Sequence, residues 1–182
     1  MFRIIIVVCL TLHFSSSAQV SDAEMDALRA NWREELSEIA HQKILRMPKK
    51  EGMPEFSDSI QRLFVRDTFL VENILRRQSA KEPSTLGINK AQLFCASEYD
   101  QLVDKYFAIL QSKMKKEDAE LLVSWQKEWR TLMNTEKLLV GRLMQEPYSG
   151  GGSIHSLVYT ARLMNQNKNR LLTIIDYLTH MI

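Results

Sequence analysis

Apolar side chains recur at three- and four-residue steps in five successive stretches, and no stretch alternates with the period of two that a strand needs. Met25, Leu28, Trp32, Leu36 and Ile39 form the first stripe, which predicts a helix over 22–47 ended by Pro48. Ser21-Asp22-Ala23-Glu24 ahead of it is a capping-box pattern. Ile60, Leu63, Phe64, Val71, Ile74 and Leu75 mark a second helix over 58–77, with Ser57 as its candidate cap. The interval 79–87 holds Pro83, Ser84 and Gly87, has no period, and is the expected hinge.

A third helix is expected over 90–113, built on Leu93, Phe94, Leu102, Val103, Tyr106, Ile109 and Leu110. Lys115 and Lys116 followed by Glu117 and Asp118 form a polar turn with the charge order that helix dipoles favour. The fourth helix, over 119–145, presents Leu122, Gln126, Trp129, Leu132 or Met133, Glu136, Leu139 and Leu143. Gln126 and Glu136 fall in or beside this apolar stripe, and Gly141 in the helix interior is read as the mark of a close crossing. After Pro147, Tyr148 and the glycines Gly150, Gly151 and Gly152 make a turn. Ser153 then caps a fifth helix over 154–180 lined by Leu157, Ala161, Met164, Leu171, Ile175 and Leu178, with a polar run from Asn165 to Arg170. The expected fold is all-α, with about five helices and the last three as an antiparallel bundle.

The first residues read as an export signal. Arg3 precedes the apolar run Ile4–Leu12, which is too short for a membrane span, and Ser16 and Ala18 suit cleavage before Gln19. The expected division is therefore a signal peptide over 1–18, then a helical pair over 19–90 and a helical domain over 91–182 that form one compact unit, with a periplasmic or secreted destination. The chain has 24 Lys and Arg against 22 Asp and Glu, and losing Arg3 leaves a formal charge of +1. That balance gives no electrostatic footprint for nucleic acid. Cys9 falls in the signal, so Cys95 would have no partner for an intrachain disulfide, and Phe94 and Leu102 beside it point to burial.

No stretch carries a catalytic signature. Glu34, Glu38 and His41 share one helix face, but the second Glu-x-x-His of a di-iron bundle is missing, so a solvated charged face is expected and no metal or cofactor. Ser153 and His155 are two apart and diverge on a helix, and no Gly-x-Ser-x-Gly elbow is present. The glycine turn before Ser153 lacks the lysine and strand of a phosphate-binding loop. Gln126 and Trp129 share a face on which the indole can fill the space between helices while the amide meets freed backbone groups.

Glu98–Tyr106 through Leu110, Ala119–Leu122, Gln126-x-x-Trp129, the turn Tyr148–Ser153 and Asn165-x-x-Lys168-x-x-Leu171 together resemble the domain family named after the mycobacterial lysozyme inhibitor LprI. The likeness spans about half of the chain after Gln19, from Phe94 to Leu178. The chain departs from the family pattern at Met133 and Asn134, where Arg-Asp is common, and at Glu136 and Lys137, where a cysteine is usual. Asn165 and Lys168 replace a threonine and an arginine. The resemblance implies a bacterial envelope binding protein, an inhibitor of lysozyme acting by occlusion, with Gln126, Trp129, Glu136, Asn165 and Lys168 as structural motif positions. Its expected contact is the turn formed by Tyr148, Gly150, Gly151, Gly152, Ser153 and His155. The alternative is an assembly module of the envelope without inhibitory activity, docking through an apolar patch on 60–75 of the N-terminal pair.

Overall fold

A computed structural model describes residues 20–146, 148 and 153–181, with the side chain of Ser153 outside that set. The expected signal peptide and Gly150, Gly151 and Gly152 lie outside the described residues. Five helices account for nearly all of the rest: α1 (Asp22–Leu45), α2 (Glu55–Lys81), α3 (Thr85–Lys113), α4 (Lys116–Leu143) and α5 (Ser153–His180). No strand occurs among the described residues.

The helix ends follow local chemistry more closely than the apolar period does. Ser21 caps α1 as expected, its Oγ accepting from the Glu24 N–H at 3.2 Å. By contrast, Ser57 is not a cap. The second helix starts earlier, after Pro54, whose φ of −56° suits helix entry, and Ser57 is buried in the first turn. The expected hinge over 79–87 shrinks to Glu82-Pro83-Ser84, because α2 continues to Lys81 and α3 opens at Thr85. Pro83 stops the first helix, and Ser84 Oγ accepts from the Gly87 N–H at 3.0 Å to start the second.

Each helix runs antiparallel to the one before it. Arg77 grips Glu35 with two bonds of 2.6 and 2.7 Å, tying the C-terminal part of α2 to the middle of α1. At the far end Arg62 donates to the carbonyls of Ile44 and Met47 at 2.9 and 3.0 Å, satisfying the open C-terminus of α1. Tyr99 and Tyr106 of α3 donate to Glu72 and Asp67 of α2, each at 3.0 Å. Helices α3 and α5 are therefore parallel, and they form the central pair. Small residues on α3 (Ala91, Cys95 and Ala96) let α5 approach closely, and Asn167 Nδ2 donates to the Ala96 carbonyl at 2.8 Å.

One core runs through the assembly. Tyr99, Val103, Tyr106 and Leu110 of α3 pack with Leu171, Ile174 and Leu178 of α5, with Ile60 and Val71 of α2 and with Leu122 of α4. The apolar patch expected on 60–75 is thus spent inside: Ile60, Val71 and Ile74 are buried and Leu63, Phe64 and Leu75 pack against the same core. A boundary at residues 90 and 91 would cut α3 within its second turn. Several expected core positions are exposed instead, namely Ile39, Leu93, Leu139 and Leu143, while Met133 rather than Leu132 faces inward. Gly141 is not a crossing point, since nothing lies within 4 Å of where its Cβ would stand. No helix among the described residues is long and apolar enough to cross a membrane.

Candidate functional site

The polar positions of α4 meet α5 along a seam organised by Arg170. Arg170 sits on the α5 stripe one residue before Leu171, so the helix period carries its side chain towards the core. It is 8% exposed, and Gln126 opposite it is equally covered. Gln126 Oε1 accepts from Arg170 Nε at 3.0 Å and from Nη2 at 2.8 Å. The guanidinium carbon lies 3.0 Å from the centre of the Trp125 ring and 5.1 Å from that of Trp129. Trp125 in turn meets Tyr177 at a ring separation of 5.7 Å. Among the described residues no carboxylate pairs with Arg170, and burial lowers its pKa from the ordinary value to about 10. The indole faces and one amide oxygen take the place of a counter-ion.

This arrangement ties α4 to α5. Gln126 Oε1 is committed to Arg170, which leaves its Nε2 buried without a partner. Further along, Glu136 accepts from Arg162 and Gln166 of α5, and Arg130 bridges Asp100 and Asp104 of α3. Burial lowers the Arg130 pKa, but its bonds to Asp100 and Asp104 outweigh that and raise it. The motif positions therefore divide. Gln126, Trp129 and Glu136 belong to the α4–α5 seam; Lys168 turns away to bind Glu72 of α2 at 2.5 Å; Asn165 is exposed. Arg170, the centre of the seam, was hidden in the sequence by the polar run around it. Its place three residues after Asn167 and four before Ile174 is the signal that would have found it.

The expected contact turn is described only at its edges. Tyr148 is 71% exposed and His155 is exposed, Ser153 opens α5, and the three glycines lie outside the described residues. Ile154 and Val158, one turn apart, are also exposed at this end of the hairpin. At the opposite end Leu110, Met114, Leu121, Leu122, Trp125 and Tyr177 line an apolar groove of about 410 Å3, with Asp118 as its one charged lining residue among the described residues.

Cys95 is fully buried, and burial pushes its thiol up to about 12, far from a reactive thiolate. Glu34, Glu38 and His41 stay on the exposed face of α1, where Glu38 Oε1 accepts from Gln42 at 2.9 Å. No group of three or more metal-ligating side chains converges among the described residues.

The class these observations define is an all-α helical bundle with a polar, aromatic-clamped seam and an outer helix that exposes a stripe of leucines. No family model, curated protein or solved structure matches the chain.

Proposed function

We propose that the chain is an exported binding protein of the bacterial envelope that acts by occlusion, with the tip of the α4–α5 hairpin as its contact. The observation that carries this reading is that Tyr148, Ile154 and Val158 are exposed together at one end of the α4–α5 hairpin, apart from the exposed leucines along α4. Ile154 and Val158 stand on α5, so their contact with a partner costs little conformational freedom. The export signal over 1–18 and the likeness to the LprI family make a muramidase the first partner to test.

The test is inhibition of hen-type and goose-type lysozymes by the purified protein, alongside Gly151→Ala/His155→Ala and Ile154→Asp/Val158→Asp variants. The reading expects inhibition by the wild type at micromolar excess and at least a tenfold loss in the Ile154/Val158 variant, about 1.4 kcal/mol of binding. Absence of inhibition removes the muramidase. Equal retention of the wild type and the Ile154/Val158 variant on envelope extract removes the tip as a contact altogether.

The alternative of an assembly module keeps support of a different kind. The apolar face of 60–75 is not its docking surface, since Ile60, Val71 and Ile74 are buried and Leu63, Phe64 and Leu75 pack against the core, but α4 exposes a long apolar stripe of its own.

A further inference from the structure

Helix α4 carries two apolar stripes, and only one of them is used inside the molecule. Leu122, Gln126, Trp129 and Met133 face the core and the seam. Leu121, Leu132, Leu139 and Leu143 follow one another at steps of eleven, seven and four residues, which returns each to the same face. They are 74%, 64%, 56% and 46% exposed. The stripe begins at the apolar groove, since Leu121 is one of its lining residues. It spans about 33 Å along the helix at 1.5 Å per residue. The stripe lies apart from the hairpin tip and is present whether or not the tip binds a partner.

The stripe is complementary to itself. When two α4 helices lie antiparallel about a two-fold axis through Leu132, each position faces its mirror image about residue 132. Leu132 then meets Leu132, Leu121 meets Leu143, and Trp125, at the edge of the stripe, meets Leu139. Every exposed leucine of the stripe finds an apolar mate, and Leu143 comes over the groove that Leu121 helps to line. Glu120 and Arg142 lie on one flank, within two residues of mirrored positions, so the same register brings opposite charges together twice. Neither side chain is held in an ion pair among the described residues, and both are exposed. A partner with an arbitrary apolar face would not match these spacings on both sides of one centre.

The geometry points to a second copy of this chain as the occupant of the α4 stripe, docked as an isologous antiparallel helix pair with Leu132 on the two-fold axis. Ser124, Glu128 and Thr135 fill the intervening turns, so the contact is polar enough to be reversible. A single helix pair of this length lies at the low end of specific interfaces, consistent with micromolar rather than nanomolar association. The dimer places the two hairpin tips at opposite ends, which leaves Tyr148, Ile154 and Val158 free on both copies.

Sedimentation velocity of the full chain over about 10–500 µM should give a concentration-dependent monomer–dimer equilibrium, and Leu132→Asp should hold the chain monomeric while its helical circular dichroism is unchanged. Register is read by site-directed crosslinking in a Cys9→Ser chain, where fully buried Cys95 is silent. A short bis-thiol crosslinker should dimerise Leu132→Cys, spare Leu121→Cys and Leu143→Cys alone, and crosslink Leu121→Cys when mixed with Leu143→Cys. A wild type that stays monomeric across the range overturns the proposal. So does a dimer in which Leu121→Cys crosslinks to itself as fast as Leu132→Cys.

Discussion

Three glycines in the described chain should respond to alanine in three different ways, because each faces different surroundings. Gly87 is the demanding one. A Cβ there would stand 2.3 Å from the Glu82 carbonyl oxygen and 2.4 Å from the Glu82 Cβ, and 3.0 Å from the Glu82 carbonyl carbon. Glu82 cannot give way cheaply. Its N–H donates to the Gln78 carbonyl at 3.0 Å, its side chain accepts from the Val20 N–H at 3.1 Å, and Pro83 follows it. Alanine gains about 1 kcal/mol of helix propensity over glycine. Overpacking against backbone costs about 1–3 kcal/mol and sits at the upper end when the neighbour is fixed, so Gly87→Ala should lose about 2 kcal/mol net. For a domain of this size that lowers Tm by roughly 4–8 °C. Gly141→Ala has nothing within 4 Å of the new Cβ, so it should gain close to the full propensity term, about 1 kcal/mol, and raise Tm by roughly 2–4 °C. Gly52 has open space but a φ of +76°, so alanine there should cost about 1 kcal/mol from backbone strain alone. Thermal melts followed by circular dichroism on the three variants and the wild type make the comparison. A Gly87→Ala protein as stable as Gly141→Ala would refute the tight α2–α3 turn described above.

Other consequences can be checked in the same preparations. Arg170→Ala should cost about 2–4 kcal/mol in a urea melt, since it opens a gap between two indoles and leaves Gln126 Oε1 without its donors. The paired change Gln126→Leu/Arg170→Met removes the buried polar groups together and should fall within about 1 kcal/mol of the wild type, so the double-mutant cycle must show strong coupling. Burial of Glu72 raises its pKa, but hydrogen bonds from Lys168 and Tyr99 outweigh this and leave it below its usual 4.5. Its stabilising effect is therefore complete above pH 4.5 and is lost as the pH falls through the lower folded value, so Glu72→Gln should flatten the acid limb of a stability–pH curve and leave the neutral region's slope unchanged. In a Cys9→Ser chain, Cys95 should resist a thiol-reactive chromophore at about pH 8 in the folded protein and react at once in denaturant. Rapid labelling of the folded chain would contradict its burial.

The apolar period revealed the number, order and rough extent of the helices because each buries one face, and three- and four-residue spacing is the direct imprint of that burial. It could not tell which of two stripes is buried. On α4 the sequence places Leu122 beside Leu121 and Met133 beside Leu132, and only the position of the other helices decides that Leu122 and Met133 turn inward. Leu139 and Leu143 look like core residues for the same reason and are exposed. The ends of α2 and α3 depended on proline and capping chemistry more than on period: Pro54 starts a helix before its first large apolar stripe residue, and Ser84 restarts one immediately after Pro83. Arg170 was illegible for an energetic reason. A guanidinium on a buried face is costly, and it is tolerated here because Trp125, Trp129 and Gln126 converge on it from a helix some forty residues earlier. Gln126 and Trp129 were recognisable as a pair, whereas the group they enclose was not.

Both the hairpin tip and the outward leucine stripe depend on α4 being clamped to α5 through Arg170. Amide hydrogen exchange, resolved residue by residue, tests that most directly. The account predicts that amides of α4 from Leu122 to Met133 are protected to nearly the level of α3 and α5, and that Arg170→Ala releases this segment well before the α3–α5 pair. An α4 that exchanges freely in the wild type while α3 and α5 stay protected would contradict it.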